Sequence, residues 1–184
     1  MKAANKNRIQ NLTTLAMLAA LAVVIGLFKF PIFPNVSFLE FDFADLPVLI
    51  STLLFGPVSG LGVLFIVSVI QAFLLGGNGV IGLIMHFIAS GAVVLLFGLI
   101  CRKKKSVSRL SLSAVLGTLA ITALMIPLNY IFIPILFHVP TQMVTDFLPY
   151  IIAFNLIKAG VNTALACIMW VPVNKLYTGL SNKK

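Results

Sequence analysis

The stretch VIGLIMHFIASGAVVLLFGLIC, residues 80–101, contains no Asp, Glu, Lys or Arg, and it is followed directly by RKKK, residues 102–105. An apolar run of 22 residues can cross a bilayer as a helix, which takes about 20 residues at 1.5 Å per residue. It is too long for a strand, and its apolar residues do not alternate with polar ones. Basic residues directly after such a run indicate the side on which it ends. The stretch therefore predicts a membrane-spanning helix.

The whole chain has the same character. Of its 184 residues, 60% are hydrophobic and only 9% are charged, whereas soluble domains carry roughly 25% charged residues. Such a chain cannot cover a surface that faces water, so we expect one membrane-embedded domain over residues 1–184. The net charge of +9 does not indicate a nucleic-acid partner. Most of the basic residues lie at the ends of apolar runs, where they set topology and contact the lipid bilayer.

Six apolar segments predict an all-α integral membrane protein with six transmembrane helices. They span about residues 12–29, 44–55, 57–75, 80–101, 111–136 and 143–177. Asp45 is the expected N-terminal cap of the second segment, and Pro127 and Pro134 are expected to interrupt the fifth. The second segment reaches only about 18 Å. We therefore expect it to be tilted, or packed beside a loop that fills the remaining depth.

The distribution of charge predicts the orientation. The N-terminus, the 102–109 loop and the C-terminus are rich in Lys and Arg, so we expect all three in the cytoplasm. Six segments are compatible with this, because even numbers of crossings separate the three. Glu40, Asp42 and Asp146 fall in the connections on the other side. None of the four carboxylates lies in the middle of an apolar segment, so an acidic proton relay is not expected.

The sixth segment carries polar residues that indicate a site. On a helix, Asn155, Lys158 and Asn162 fall within an arc of about 60°. A charged side chain at a helix centre costs roughly 3 kcal/mol on insertion scales. We therefore expect Lys158 to face a cavity, with bonding to internal carbonyls or snorkelling to the surface as the alternatives.

Other polar residues lie within the apolar segments. Asn129 follows Pro127, which leaves a backbone carbonyl free, so the pair can offer donors and acceptors to a ligand. A hydrogen bond between helices is an equal alternative for Asn129. For Gln71 and His86 we favour a packing role.

Two further features suggest contact surfaces. The connection FKFPIFPNVSFLEFDF, residues 28–43, is rich in phenylalanine and predicts either an interfacial aromatic belt or a lid over a flat ligand. Ala16 and Ala20 form a small-xxx-small pair, which lets another helix approach closely.

Several classes of activity lack their motifs. The chain has no G-x-x-x-x-G-K-[ST] loop, so we expect no ATP hydrolysis by the usual phosphate cradle. It shows no Ser/His/Asp constellation and no spacing typical of metal ligands, and Cys101 and Cys167 are not a CxxC pair. We expect neither an enzyme nor a self-powered pump, and neither a metal nor a cofactor.

Three parts of the chain resemble the substrate-binding (S) component of an energy-coupling factor (ECF) vitamin transporter, of the riboflavin-specific type. They are FLEFDFADLPVLISTLLFGPVSGLGV at 38–63, GLIMHFIASGAVVLLFGLI at 82–100, and MIPLNYIFIPI at 125–135 with IIAFNLIKAGVN at 151–162. The resemblance implies a multi-pass protein of the bacterial cytoplasmic membrane. It would capture riboflavin, as transported ligand, at the outer face. It would deliver it through a transmembrane coupling subunit driven by two ATPase subunits.

The resemblance also implies roles for individual residues. The expected flavin contacts are Asn129, Asn155 and Lys158, with Leu39, Glu40 and Phe41 as lid contacts. Ala16 and Ala20 would form the docking surface for the coupling subunit. Three alternatives remain open: an S component for another vitamin such as thiamine or pantothenate, flavin mononucleotide as ligand, and a stand-alone facilitator.

Overall fold

A computed structural model describes the backbone of residues 2–182 and the side chains of residues 8–179. Met1, Lys183 and Lys184, which belong to the predicted domain, lie outside the described residues. Within them the chain forms six helices: α1 (Lys2–Ile25), α2 (Asp45–Phe55), α3 (Pro57–Leu74), α4 (Gly79–Ile100), α5 (Val107–Phe137) and α6 (Thr141–Asn182).

The connection from α1 to α2, residues 26–44, has structure of its own. It contains strand β1 (Phe30–Pro31), a 3-10 turn (Pro34–Val36) and strand β2 (Glu40–Phe41). The two strands pair antiparallel, with Phe30 opposite Phe41. This short hairpin is an addition to the all-α fold predicted from the sequence.

Helices α2, α3 and α4 begin and end within a residue of the predicted segments, whereas α1, α5 and α6 do not. Helix α5 begins at Val107 instead of about residue 111. Helix α1 begins at Lys2 and ends at Ile25, although the apolar pattern predicts about 12–29. Apolarity marks only the part of a helix that meets hydrocarbon. Residues 2–11 contain no Gly or Pro, so the helix also continues through polar sequence. For the same reason α6 extends beyond residue 177 to Asn182.

Two local expectations are wrong. Helix α5 is one continuous helix through Pro127 and Pro134, because neighbouring turns and helices can compensate for the lost N–H groups in a membrane helix. Asp45 does not cap α2, since Ala44 holds the N-cap position without a side-chain bond. Asp42 supplies a bond there instead, and its Oδ1 accepts from the Ala44 N–H at 2.9 Å.

Five of the helices in residues 2–182, all except α2, are long and apolar enough to cross a membrane. Helix α2 has 11 residues and reaches about 16 Å. The 26–44 connection folds over the beginning of α2 and forms a small apolar core with the nearby ends of α5 and α6. The buried residues of that core are Val36, Leu39, Phe41, Ile133, Val144, Ile151 and Phe154.

The two ends of the helix bundle differ in charge. All four carboxylates of the chain lie at the end that holds the 26–44 connection, which we call the acidic end. Arg102, Lys103, Lys104, Lys105 and Arg109 lie at the opposite end, which we call the basic end. There α2 turns into α3 at Gly56 alone, whose φ of +92° favours glycine because it has no Cβ.

Candidate functional site

A cavity of about 200 Å³ lies at the acidic end, between the 26–44 connection and helices α3 to α6. Its apolar walls include Phe38, Leu39, Met85, Met125, Phe132, Ile133 and Phe154. Its polar residues are Lys29, Glu40, Asp42, Ser68, Gln71, Asn78, His86, Asn129 and Lys158. Apolar walls with a few convergent polar groups are typical of sites that bind small organic ligands.

Lys158 faces this cavity and is paired with an acid. Its Nζ donates to Asp42 Oδ2 at 2.8 Å and to the Glu40 carbonyl oxygen at 3.2 Å. Both partners belong to the 26–44 connection, so the lysine joins α6 to that segment. An ammonium group has three donors, so one N–H remains for a ligand. The expected cavity-facing lysine is therefore also an internal ion-pair partner.

Two more side chains hold the 26–44 connection in place. Asn162 lies one turn after Lys158, and its Nδ2 donates to the Asp42 carbonyl oxygen at 3.1 Å. On the other side, Lys29 Nζ donates to the Leu75 carbonyl oxygen at 2.9 Å and lies 3.4 Å from Glu40 Oε2. The connection is therefore bound by polar contacts to α6 and to the end of α3, above the cavity.

A second polar cluster extends from the cavity wall, at Ser68 and His86, to Asp45 and Ser90 behind it. His86 Nε2 is 3.1 Å from Asp45 Oδ1, and His86 Nδ1 is 2.9 Å from Ser68 Oγ. Ser90 Oγ donates to Asp45 Oδ2 at 3.1 Å. Asp45 and Asp42 are both buried, although the sequence places no carboxylate in the middle of an apolar segment. The short α2 explains this, because its first turn lies beneath the 26–44 connection.

Asn129 lines the cavity as expected, whereas Asn155 does not. Asn129 is 4% exposed, and its Nδ2 donates to the Met125 carbonyl oxygen at 2.6 Å. Its Oδ1 and second amide hydrogen remain for a ligand. The Nδ2 of Asn155 donates to the Ile151 carbonyl oxygen at 2.8 Å, and this buried side chain is not part of the cavity wall.

The three residues expected as lid contacts lie at different depths. Leu39 and Glu40 line the cavity. Phe41 lies beside it in the small apolar core, and its ring contacts Phe30 and Phe43 with centroids 5.3 and 4.9 Å away. The phenylalanine-rich segment thus presents Phe38 to the cavity instead of Phe41.

Gln71 and His86 were expected to be packing residues, yet both line the cavity. Among the described residues, the buried Gln71 Nε2 has no hydrogen-bond partner. It lies close to Gly26, where an added Cβ would be 2.6 Å from it. The signal that identified Lys158, a polar residue within an apolar segment, applies equally to these two side chains.

A family model described as "ECF transporter, substrate-specific component" matches residues 10–170. This chain belongs to that family. The S component is therefore a transport protein and not an enzyme, and its apolar helices make it a multi-pass membrane protein.

Proteins and structures similar to this S component agree with the assignment. Riboflavin transporter FmnP of Bacillus subtilis is 33% identical over 89% of this chain and 92% of its own length. Riboflavin transporter RibU of Streptococcus thermophilus is 29% identical over 93% and 86%, respectively. A solved structure described as the S component of a bacterial ECF transporter superposes with a TM-score of 0.81. It is 28% identical and covers 92% of this chain and 98% of that one.

The alanines of α1 lie away from the cavity of this S component. Ala16 and Ala20 are exposed, whereas Ala19 and Ala22 are buried against the bundle. Ala16 and Ala20 therefore share the outward face of α1, where the small-xxx-small pair is available to another helix.

Proposed function

We propose that this S component binds riboflavin in the acidic-end cavity and delivers it through a separate ATP-driven module. The observation that carries the proposal is the pairing of apolar walls with donors from Asn129 and Lys158 around one cavity. The names of the similar Bacillus and Streptococcus proteins support the choice of ligand.

The chemistry of riboflavin suits these side chains. Its flat ring carries an imide edge that alternates acceptor, donor and acceptor. The free Oδ1 and amide hydrogen of Asn129 can pair with two adjacent groups of that edge. The third N–H of Lys158 can donate to a ring carbonyl or a ribityl hydroxyl. Phe38, Phe132 and Phe154 supply apolar surface for the ring.

We keep Asn155 as a proposed contact that requires a local change. Its amide must leave the Ile151 carbonyl before it can face a ligand. Leu39, Glu40 and Phe41 remain proposed lid contacts, since the 26–44 connection must move for a ligand of this size to enter. That movement separates Lys158 from Asp42 and Lys29 from the Leu75 carbonyl oxygen.

The proposal includes the setting of the protein. Residues 1–184 form a single domain in the bacterial cell membrane, with six transmembrane segments and both termini in the cytoplasm. The acidic end then faces outward, where the vitamin is captured. A transmembrane coupling subunit docks on Ala16 and Ala20 and is driven by two ATPase subunits.

A ligand panel tests the proposed specificity. Trp170 is the only tryptophan of the chain, and a bound flavin should quench its emission. Purified protein is titrated with riboflavin, flavin mononucleotide, thiamine and pantothenate. We expect saturable binding of riboflavin and at least tenfold weaker binding of the two vitamins without a flavin ring. Tightest binding of thiamine or pantothenate would contradict the proposal.

Cysteine labelling tests the proposed orientation. Ser106 and Thr141 lie at opposite ends of the bundle and are exposed, so Ser106→Cys and Thr141→Cys are made in a background without Cys101 and Cys167. An impermeant maleimide added to intact cells should label Thr141→Cys only. Ready labelling of Ser106→Cys from outside would reverse the orientation.

A further inference from the structure

A second cavity lies at the basic end, far from the candidate flavin site. It has a volume of about 440 Å³ and is lined by the turn from α2 to α3, by the last turn of α4, and by Arg102 and Lys105. Its lining therefore combines apolar side chains with two cations.

The apolar side of this cavity continues onto the outer surface of the bundle. Val58 and Leu99 belong to the lining and are 83% and 60% exposed. In a multi-pass membrane protein, exposed apolar side chains on the outside of a helix bundle meet lipid chains. The cavity is thus open to the hydrocarbon on one side.

Among residues 8–179, the cationic side has no acidic partner. All four carboxylates lie at the acidic end, and the ion pairs among residues 8–179 join only Lys29, His86 and Lys158 to them. Arg102 and Lys105 are exposed. Lys105 Nζ lies 5.3 Å from the centre of the buried Trp170 ring. The attraction between this cation and the aromatic ring favours a position of the ammonium group at the rim of the cavity.

We propose that this cavity binds one anionic phospholipid, with the phosphate between Arg102 and Lys105 and an acyl chain along Val58 and Leu99. Basic pockets between membrane helices bind anionic head groups, and each nearby Lys or Arg strengthens the attraction. The combination of two unpaired cations with an apolar wall open to hydrocarbon favours a lipid over a soluble anion. This inference does not depend on the identity of the transported ligand.

Native mass spectrometry of the full chain in neutral detergent tests the site. Dioleoylphosphatidylglycerol and dioleoylphosphatidylcholine are added separately, and retained lipid is counted. We expect one phosphatidylglycerol per chain and no comparable retention of phosphatidylcholine. Arg102→Gln with Lys105→Gln should lower the affinity for phosphatidylglycerol roughly tenfold or more.

The same loop offers a matched control. Lys103→Gln with Lys104→Gln removes the same charge from residues outside the cavity lining, and we expect less than a threefold effect. Equal losses in both double variants would overturn the site, since the loop would then act as a diffuse charge. Equal retention of phosphatidylcholine would also overturn it.

Two further measurements separate other occupants. Inorganic phosphate at millimolar concentration should not displace phosphatidylglycerol, and displacement would indicate a simple anion site. The cavity could instead bind the coupling module. In that case complexes purified with the module should contain no lipid in this cavity, and the Arg102→Gln, Lys105→Gln variant should not hold the module. Those two results would overturn the lipid site. Riboflavin titration of that variant should be unchanged, so failure of the lipid site leaves the proposed function separately testable.

Discussion

The acidic and basic ends of the bundle use charge in opposite ways. At the acidic end the connection between α1 and α2 is long, and its charged side chains bind one another and the bundle across a cavity. At the basic end α2 and α3 are joined by Gly56 alone, and the cations after α4 are exposed. Charges paired inside the chain close a compartment, whereas exposed unpaired cations remain free for lipid or a partner.

The difference has an energetic side. A buried ion pair contributes little net stability, because desolvation of both groups offsets their attraction. Removal of one partner, however, leaves the other charge buried and uncompensated. The Lys158–Asp42 pair can therefore separate when both groups gain water. As long as the 26–44 connection covers the cavity, however, removal of either side chain destabilises the protein.

The largest effect on transport is expected from substitutions on α1. They test whether uptake needs a docking surface in addition to the cavity at the acidic end. Ala16→Trp or Ala20→Trp should reduce ATP-dependent riboflavin uptake to background, because a large side chain holds a partner helix away. Riboflavin binding by the purified variants should be retained. Leu112→Trp, at an exposed position on α5, is the control and should transport normally. Full uptake by both alanine variants would remove α1 as the docking surface.

Asp42→Ala tests the closed compartment at the acidic end. We expect about 3 kcal/mol lower stability in detergent, since the Lys158 charge loses its partner in a buried site. Thermal and denaturant unfolding measure the change. Asp146→Ala, which removes an exposed carboxylate at the same end, should have almost no effect. The double variant Asp42→Ala, Lys158→Met should recover part of the loss, and an additive result would contradict a coupled pair.

Gly98→Ala tests the tight turn at the basic end. An added Cβ would lie 2.9 Å from the Cα and Cδ atoms of Pro57, so the turn from α2 to α3 must shift. We expect a loss of about 1 to 3 kcal/mol in unfolding free energy, with riboflavin affinity unchanged. Gly62→Ala has no neighbour within 4 Å of the new Cβ and should be neutral or slightly stabilising. Equal stability of the two variants would show that the turn is not closely packed.

The smallest effect we expect is a difference in riboflavin affinity between substitutions of the two asparagines at the acidic end. Asn129→Ala removes a cavity-facing amide and should weaken riboflavin binding by about 1 kcal/mol, roughly fivefold. Asn155→Ala should weaken it less, because this amide must first leave the Ile151 carbonyl. Equilibrium titrations of both variants decide the order. A larger effect of Asn155→Ala would mean that the bound state turns this side chain into the cavity.

The sequence predicts the helices better than the contacts between them. Gly56 and Pro57 set the boundary of α2 and α3 to within a residue, because a glycine with positive φ and a proline at a helix start are local signals. The apolar pattern does not predict the start of α1 at Lys2, because apolarity indicates which residues lie in the membrane and not how long the helix is. The continuity of α5 depends on its neighbours, which a local proline signal does not report.

For the candidate site too, the sequence identifies individual residues but not the contacts that they make. Lys158 and Asn129 could be identified from their polar side chains in apolar segments. The partner of Lys158 could not, since Asp42 lies 116 positions away in the sequence and no local pattern joins them. Asn155 shares a helix face with Lys158, yet a helical wheel does not show whether its amide bonds to its own helix. That depends on the side-chain rotamer.

One comparison of two lysines tests the central claim most directly. Lys158→Met and Lys105→Met are the same substitution at opposite ends, and riboflavin dissociation constants are measured for both after size-exclusion chromatography confirms folded protein. We predict at least tenfold weaker binding for Lys158→Met, which loses a charged donor, and unchanged binding for Lys105→Met. Unchanged affinity in Lys158→Met, or equal losses in both variants, would contradict a flavin site at the acidic end.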